Sequence, residues 1–316
     1  MKLISFEDIE NLNIDSETCY QWVSEMIKNK DNTILPSKIS MKPMENVFCN
    51  VMPSIINNEY GGVKMVTRYP DRIPSLDSML LLYDAQTGKN LALMDANWIT
   101  AMRTGAVAVH SINLFAKSNY NQIAIMGLGN TGRATIKILL DLNPDKTFNI
   151  KLLQYKNQAE LFIERFKNYK NVNFTIVDNY NDFIKDSDVI ISCATVLNED
   201  ICTDSQCYKQ GVLVVPVHTR GFSNCDIFFD KVFADDYGHV CHFKNFDKFK
   251  TFSEVSDVVN KKVNGRNNDN ERILAYNIGV SIHDINFASK IYKKIIDEKI
   301  DVREFDVKAP IEKYWI

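Results

Sequence analysis

A glycine-rich loop between an apolar run and a helical pattern is the segment best suited to bind a cofactor. Gly127, Gly129 and Gly132 form the pattern G-x-G-x-x-G directly after the apolar run 123–126. The first glycine permits a tight turn, the second lets the backbone approach a pyrophosphate, and the third lets the helix pack on the strand. We predict that NAD or NADP binds here, although a tight turn without nucleotide fits the same pattern. The predicted contacts are Gly127, Gly129, Asn130, Thr131 and Gly132.

The end of the next predicted strand bears on the choice between the two nucleotides. An acidic residue at this place normally binds the ribose 2′-hydroxyl of NAD. The matching segment 151–157 contains no Asp or Glu and offers Gln154 and Lys156 instead. These side chains would accommodate a 2′-phosphate, or Lys156 is only a solvated loop residue. The sequence therefore leaves NAD and NADP both open.

The elements that position this loop follow from the apolar periodicity. From residue 122 to 234, short apolar strands alternate with helical patterns, which is typical of βαβ crossovers. We predict an α/β fold with a Rossmann-type doubly wound parallel sheet. Before residue 117, strand-like stretches at 46–52, 62–69, 78–83 and 91–94 predict an antiparallel meander, and 97–116 a helix. One long helical pattern over 271–296 has no strand after it, so we expect it to return to the first unit.

These patterns predict two domains. A discontinuous α/β domain takes residues 1–117 and about 280–316, and the Rossmann domain takes 118–279. The 316 residues carry 37 basic and 40 acidic side chains, a formal charge of −3 that favours no nucleic-acid partner. An acidic N-terminal segment and the lack of any apolar run of about 18 residues predict no membrane association and a cytoplasmic location.

Soft ligands and thiols give no clear metal site. Seven cysteines are spread without a CxxC pattern, so we expect reduced thiols rather than disulfides. His239, Cys241 and His242 lie close in sequence, but a zinc site needs a further ligand at motif spacing, and we predict no metal. The aromatic run 243–252 has a three-residue spacing that suits an apolar helix or turn face better than nucleic-acid binding.

Several separated segments resemble the ornithine cyclodeaminase/mu-crystallin family. They are G-G-V-K at 61–64, Y-D-A-Q-T-G-K-N-L-A-L-M-D at 83–95, I-T-A-M-R-T-G-A at 99–106, the glycine loop, and N-I-G-V-S-I-H-D at 277–284. The resemblance implies a homodimer formed through the first domain and a Rossmann domain that holds nicotinamide against the substrate. Family members act on amino acids through an imine at the α-carbon.

The resemblance directs attention to three basic residues. Arg103 offers a bidentate fork for the substrate carboxylate, and Lys38 is a second candidate cation. The family more often has arginine at the second position, and lysine lacks its planar geometry. Lys64 follows two glycines and opens an apolar strand, where partial burial beside another cation would lower its pKa enough for proton transfer. The alternatives are a structural Arg103 and a surface Lys64.

Two positions differ from the cyclodeaminases. Their glutamate before Met-Pro is matched here by Asn50, and their aspartate after the later strand is matched by Ser223. A serine there resembles the ketimine-reducing branch, and Asp226 would supply an acid only if the loop is rearranged. The family further implies that Ala194 and Thr195, at a predicted strand end, line the nicotinamide. His218 ends the predicted strand 212–217 at the edge where open α/β sheets bind ligands, so it would contact the nicotinamide ribose or substrate, although it is equally compatible with a structural role.

These features favour an NAD(P)-dependent oxidoreductase acting on an α-amino or α-imino acid. Cyclodeamination needs an acid or base beside the terminal amine, which neutral Asn50 and Ser223 do not provide. Conversion of L-ornithine to L-proline and ammonia is the named alternative. A protein that stores a small ligand with NADP and turns over little of it is the alternative of another class.

Overall fold

The computed structural model describes residues 1–194, 201–202, 204–217, 226–308 and 310–316. The chain forms two compact units. The first comprises Met1–Asn13, Asn32–Ile99 and Asp284–Ile316, and the second comprises Ile14–Asp31 and Thr100–His283. These bounds differ from the predicted division at 117 and near 280, because the second unit takes an N-terminal helix and most of the helix that begins at Asn97.

The described residues of the first unit form a seven-stranded sheet. Its strands are β1 (Lys2–Ile4), β2 (Thr33–Ile34), β3 (Ile39–Met41), β4 (Phe48–Ile56), β5 (Tyr60–Arg68), β6 (Leu76–Asp84) and β7 (Asn90–Asp95). Their order is β1-β7-β6-β5-β4-β2, with β3 also beside β4. The meander from β4 to β7 is antiparallel, as predicted, and β1 joins β7 in parallel.

The two faces of this sheet differ in burial. Because successive side chains point to opposite faces, Met52, Lys64, Leu80 and Met94 form one cross-strand row, and all four are buried. The opposite face carries apolar side chains that stay partly or largely exposed. They form the rows Ile39-Val51-Met65-Met79 and Pro53-Val63-Leu81-Leu93-Leu3.

The described residues of the second unit form an eight-stranded, entirely parallel sheet. Its strands are β8 (Gln122–Met126), β9 (Phe148–Leu153), β10 (Val172–Val177), β11 (Val189–Ser192), β12 (Leu213–Pro216), β13 (Lys231–Ala234), β14 (Phe252–Glu254) and β15 (Ile273–Tyr276). The order is β10-β9-β8-β11-β12-β15-β13-β14. The strand order reverses between β8 and β11, the place where doubly wound sheets bind ligands. The predicted Rossmann-type fold is confirmed.

Helices cover and connect these sheets. They are α1 (Phe6–Asn11), α2 (Ser16–Lys28), α3 (Asn97–Phe115), α4 (Asn130–Asp141), α5 (Gln158–Arg165), α6 (Tyr180–Ile184), α7 (Tyr237–Val240), α8 (Val255–Val259) and α9 (Ser281–Asp297). Among the described residues, no helix is long and apolar enough to cross a membrane. The aromatic run 243–252 packs its rings against the core of the parallel sheet.

Two predictions about local structure are wrong. Residues Ile273–Tyr276 form the buried strand β15 between β12 and β13 rather than the start of a long helix. A short apolar run buried on both faces has the same periodicity in a helix as in a parallel strand. The structure also joins Cys202 and Cys207 by a disulfide, with their Cα atoms 6.1 Å apart, although their spacing matches no common disulfide pattern.

Candidate active site

The glycine loop lies at the switch point of the parallel sheet. Gly127 has a φ of +79°, and a Cβ there would lie 2.2 Å from the carbonyl carbon of Cys193, at the end of β11. A Cβ at Gly132 would lie 2.5 Å from the carbonyl oxygen of Gly127. Both positions therefore require glycine because backbone segments pass close by. Ala194, the other predicted residue at this edge, follows β11 and is partly buried.

Gly129 differs from the other two glycines because the space beside it is open. It is the N-cap of α4, and a Cβ added there meets no heavy atom within 4 Å. No side chain caps the helix, so the N–H groups of its first turn remain able to bind an anion. This turn begins with exposed Asn130 and partly buried Thr131. The loop therefore fits the pyrophosphate of a dinucleotide.

The segment after β9 carries a hydrogen-bonded pair of polar side chains and a separate lysine. The amide of Gln154 donates a hydrogen bond of 2.6 Å to Glu160, which lies in the first turn of α5. Lys156 is exposed, has a φ of +53°, and holds its ammonium 5.4 Å from the ring centroid of Tyr155. Glu160 is not among the residues predicted from the sequence, because it lies beyond the strand end, in the helix that follows. An acid at the first turn of the following helix is the signal that would have found it.

Arg103 lies on α3, and its side chain is only 5% exposed. A Cβ added to Gly279 would lie 3.1 Å from Nη1 of Arg103, so the guanidinium runs directly beside this glycine. Gly279 has a φ of +82°, and its N–H donates to a carboxylate oxygen of Asp235 at 2.9 Å. The turn between β15 and α9 therefore forms one wall beside the guanidinium.

Gly105 links the helix of Arg103 to the glycine loop. A Cβ on Gly105 would lie 2.7 Å from the carbonyl carbon of Ala134 and from the nitrogen of Thr135. The backbones of α3 and α4 therefore touch at this point. Because Arg103 is two residues before Gly105 and Gly132 is two residues before Ala134, this contact fixes the backbone of α3 near Arg103 relative to the first turns of α4, which follow the glycine loop.

Lys64 is completely buried in the first unit and pairs with a carboxylate. Its ammonium donates to Oδ1 of Asp284 at 2.7 Å, and both side chains have 0% exposure. The predicted partial burial of Lys64 beside a second cation is therefore wrong, because the lysine is fully buried beside a carboxylate. Asp284 stands 220 positions later in the chain, so no local pattern could indicate the pair. A carboxylate at this distance stabilises the charged form of the lysine.

Asn50 lies on the same face of the sheet as Lys64. Asn50 is paired with Val66, and Lys64 with Met52, so the two side chains are diagonal neighbours on adjacent strands. Oδ1 of Asn50 is buried and accepts no hydrogen bond from the described part of the chain. Lys38 is partly buried just before β3, whose Ser40 pairs with Asn50. This edge of the sheet therefore offers both an acceptor and cations.

Asp226 does not have the setting of an accessible acid. It begins a 3₁₀ turn, has no exposed surface, and accepts hydrogen bonds from Asn245 at 3.2 Å and from the hydroxyl of Tyr276 at 3.4 Å. Burial raises the pKa of its carboxyl to about 6. Both of its carboxylate oxygens are therefore already engaged by protein donors within the second unit. The predicted residues Thr195, His218 and Ser223 lie outside the described residues.

The histidines and cysteines of the described residues form no metal centre. No group of three His, Cys, Asp or Glu side chains in this part of the chain is arranged to hold an ion. His239, which the sequence placed in a possible cluster, lies 2.6 Å from a carboxylate oxygen of Asp236. This contact closes the first turn of α7.

Fold and site together define a class of dinucleotide-binding proteins with a second unit built on an antiparallel sheet. The chain belongs to the ornithine cyclodeaminase/mu-crystallin family, whose model matches residues 2–299. The resemblance seen in the sequence is thereby confirmed.

Relatives of this chain include proteins with dehydrogenase and reductase names. It is 26% identical to the nodulation efficiency protein of Rhizobium meliloti, over 92% of this chain and 94% of that protein. It is also 26% identical to the N-((2S)-2-amino-2-carboxyethyl)-L-glutamate dehydrogenase of Staphylococcus aureus, over 79% of each chain. The Delta(1)-pyrroline-2-carboxylate reductase of Thermococcus litoralis, solved with NADH and L-proline, has the same fold, with a TM-score of 0.82 and 22% identity, over 96% of this chain and 100% of that one.

Proposed function

We propose that this protein is an NAD(P)-dependent oxidoreductase that acts on an α-amino or α-imino acid through an imine. The observation that carries the proposal is the contact of α3 and α4 at Gly105. It holds the helix that carries nearly buried Arg103, whose guanidinium suits a carboxylate, against the helix that begins at the open dinucleotide loop. A carboxylate next to the reacting carbon and a nicotinamide nucleotide are the two groups that this chemistry requires.

Each of the proposed site residues has a separate role in the reaction. A bound reduced nicotinamide would supply the hydride that adds to the α-carbon of the imine. Arg103 binds the carboxylate and so fixes the α-carbon. The Lys64 ammonium donates a proton to the imine nitrogen. Hydride addition to the carbon and this proton on the nitrogen together convert the C=N bond into a neutral amine. Oδ1 of Asn50, which is buried and has no hydrogen-bond donor among the described residues, accepts the N–H of the substrate.

The nature of residue 50 favours redox chemistry over cyclodeamination. A cyclodeaminase must take a proton from the terminal amine of ornithine and give one to the leaving ammonia. Asn50 cannot do either. Both carboxylate oxygens of Asp226 already accept hydrogen bonds from Asn245 and Tyr276. The names of the Staphylococcus aureus dehydrogenase and the Thermococcus litoralis reductase agree with this assignment.

A product balance with L-ornithine tests the choice of reaction. The protein is incubated with L-ornithine and with NAD or NADP, and proline, ammonia and reduced nucleotide are measured together. We expect slow or no proline formation, and any turnover should produce reduced nucleotide in step with product. Rapid formation of proline and ammonia without net reduction of nucleotide would contradict the proposal.

We also propose that the protein is a homodimer formed through the exposed face of the antiparallel sheet. This face presents two apolar rows, one across β3 to β6 that includes exposed Met65 and Met79, and one across β4 to β7 and β1. Contiguous apolar patches of this kind mark protein interfaces. Met65→Glu should convert a dimer to a monomer in light scattering, whereas Lys89→Glu, in an exposed turn, should not. A wild-type monomer would contradict the proposal.

A further inference from the structure

The buried ion pair of Lys64 and Asp284 is expensive in terms of stability alone. Both side chains are fully buried, and Lys64 stands between Met52 and Leu80 in a cross-strand row. Removing two charges from water costs more than a simple pair recovers, and apolar replacements of similar volume are often as stable. The charge pair is therefore better explained by its effect on the charge and position of the Lys64 ammonium than by a gain in stability.

The structure holds the Asp284 carboxylate rigidly. Asp284 is in the first turn of α9, where the helix dipole favours a negative charge. The next residue, Ile285, packs against Gly62, where a Cβ would lie 2.4 Å from its Cδ1. Phe287 contacts Trp98, with ring centroids 6.4 Å apart. These contacts hold the start of α9 against strand β5 and against the start of α3, and with it the position of the carboxylate.

We infer that Asp284 is a positioning residue that keeps the Lys64 ammonium charged and directs one of its protons at the substrate nitrogen. The inference rests on the proposed function. In the proton transfer, an N–H bond of the ammonium breaks and an N–H bond forms on the imine nitrogen. The carboxylate then favours return of a proton from water to the neutral lysine, which restores the ammonium for the next turnover.

The test compares three single variants in the full-length protein. Asp284→Asn removes the charge and keeps the shape, Asp284→Glu keeps the charge but displaces it, and Asp297→Asn makes the same charge change at the exposed end of α9. We expect Asp284→Asn to lower kcat for imine reduction roughly 100-fold. KM and the Kd for nucleotide should change less than about threefold, Asp284→Glu should recover part of kcat, and Asp297→Asn should match the wild type.

A double-variant cycle shows whether Asp284 acts through Lys64. In a Lys64→Met background, Asp284→Asn should cause no further loss of single-turnover rate, because the group that it positions is gone. It should instead raise the melting temperature, because a buried carboxylate without its cation is removed. If the single variant Asp284→Asn does not fold, the test uses the rates of Asp284→Glu and of the double variant, each compared with the wild type and with Lys64→Met.

Two results would overturn the inference. One is a kcat of folded Asp284→Asn that equals the kcat of the wild type. If Asp284→Asn does not fold, the same result with Asp284→Glu counts instead. The other is an equal loss of rate from Asp284→Asn in the presence and absence of Lys64. Absence of imine reduction by the wild type would contradict the proposed function itself, so the two failures are distinct.

Discussion

At the scale of single residues, Arg103 makes the sharpest prediction about the substrate. Arg103→Lys replaces a planar fork by a point charge, which loses one charge-assisted hydrogen bond worth about 1.5–3 kcal/mol. We expect KM for the imino acid to rise about 10- to 100-fold, with nucleotide affinity unchanged. Steady-state kinetics measure this, with Arg165→Lys on the exposed side of α5 as control. A loss of folded protein without a change in KM would support a structural role instead.

Glu160 makes a prediction about the cofactor. Its carboxylate lies within hydrogen-bonding distance of Gln154, at the strand end where the ribose of a dinucleotide binds. Removing this negative charge in Glu160→Gln should favour a 2′-phosphate, so the ratio of the Kd for NADP to that for NAD should fall. Nucleotide titrations measure the ratio, and Glu164→Gln, further along the same helix, is the control. An unchanged ratio would remove Glu160 from the cofactor site.

The residues of the site were only partly predictable. The glycine loop was readable because its function imposes a short fixed spacing, and Gly127 and Gly132 indeed have no room for a side chain. The pair of Lys64 and Asp284 was not readable, because it joins a strand and a helix far apart in the chain. The roles of Lys38, Asn50 and Arg103 remain predictions.

At the scale of elements, the contact between α3 and α4 predicts different effects for substitutions at two glycines. Gly105→Ala places a Cβ 2.7 Å from backbone atoms of α4, so the helices must separate. It should lower the melting temperature by several degrees and weaken nucleotide binding, as measured by thermal unfolding and titration. Gly129→Val adds its side chain in open space and should weaken nucleotide binding while leaving the melting temperature unchanged. Equal effects of the two variants on stability would contradict the described packing.

The alternating pattern after residue 122 and the meander before residue 96 were both predicted correctly, because periodicities of 3.6 and 2 residues are local signals. Strand β15 was missed, because its four buried residues and the following helix form one continuous apolar pattern. Only the turn at Gly279, with its positive φ, separates them. The partners that turn a short apolar segment into a strand lie elsewhere in the chain.

At the scale of the whole molecule, His110 makes stability depend on pH. It is 5% exposed, its Nδ1 has no hydrogen-bond partner in the part of the chain that the structure describes, and burial lowers its pKa to about 4. Its pKa is below the unfolded value of about 6.5, so stability present above pH 6.5 is lost as pH falls toward 4. Between pH 7 and 4.5 the loss from this residue should be about 2.5 kcal/mol.

Urea unfolding of the wild type and of His110→Phe at both pH values measures this contribution. The phenyl ring keeps the contact with Tyr20, whose ring centroid lies 5.7 Å from that of His110. The difference between the two proteins cancels Asp226, whose raised pKa has the opposite effect on stability between pH 4 and 6. A wild type and variant with parallel pH dependence would show that His110 is protonated in the folded state.

The most direct test of the assignment is the stoichiometry of imine reduction. Delta(1)-pyrroline-2-carboxylate, and imines formed from α-keto acids and amines, are supplied with NADH or NADPH, and nucleotide oxidation and amine formation are followed together. We predict one nucleotide oxidised for each amine formed. Lys64→Met should lower this rate roughly 100-fold or more while nucleotide still binds. No oxidation of either nucleotide with any imine, or a Lys64→Met protein as fast as the wild type, would contradict the account.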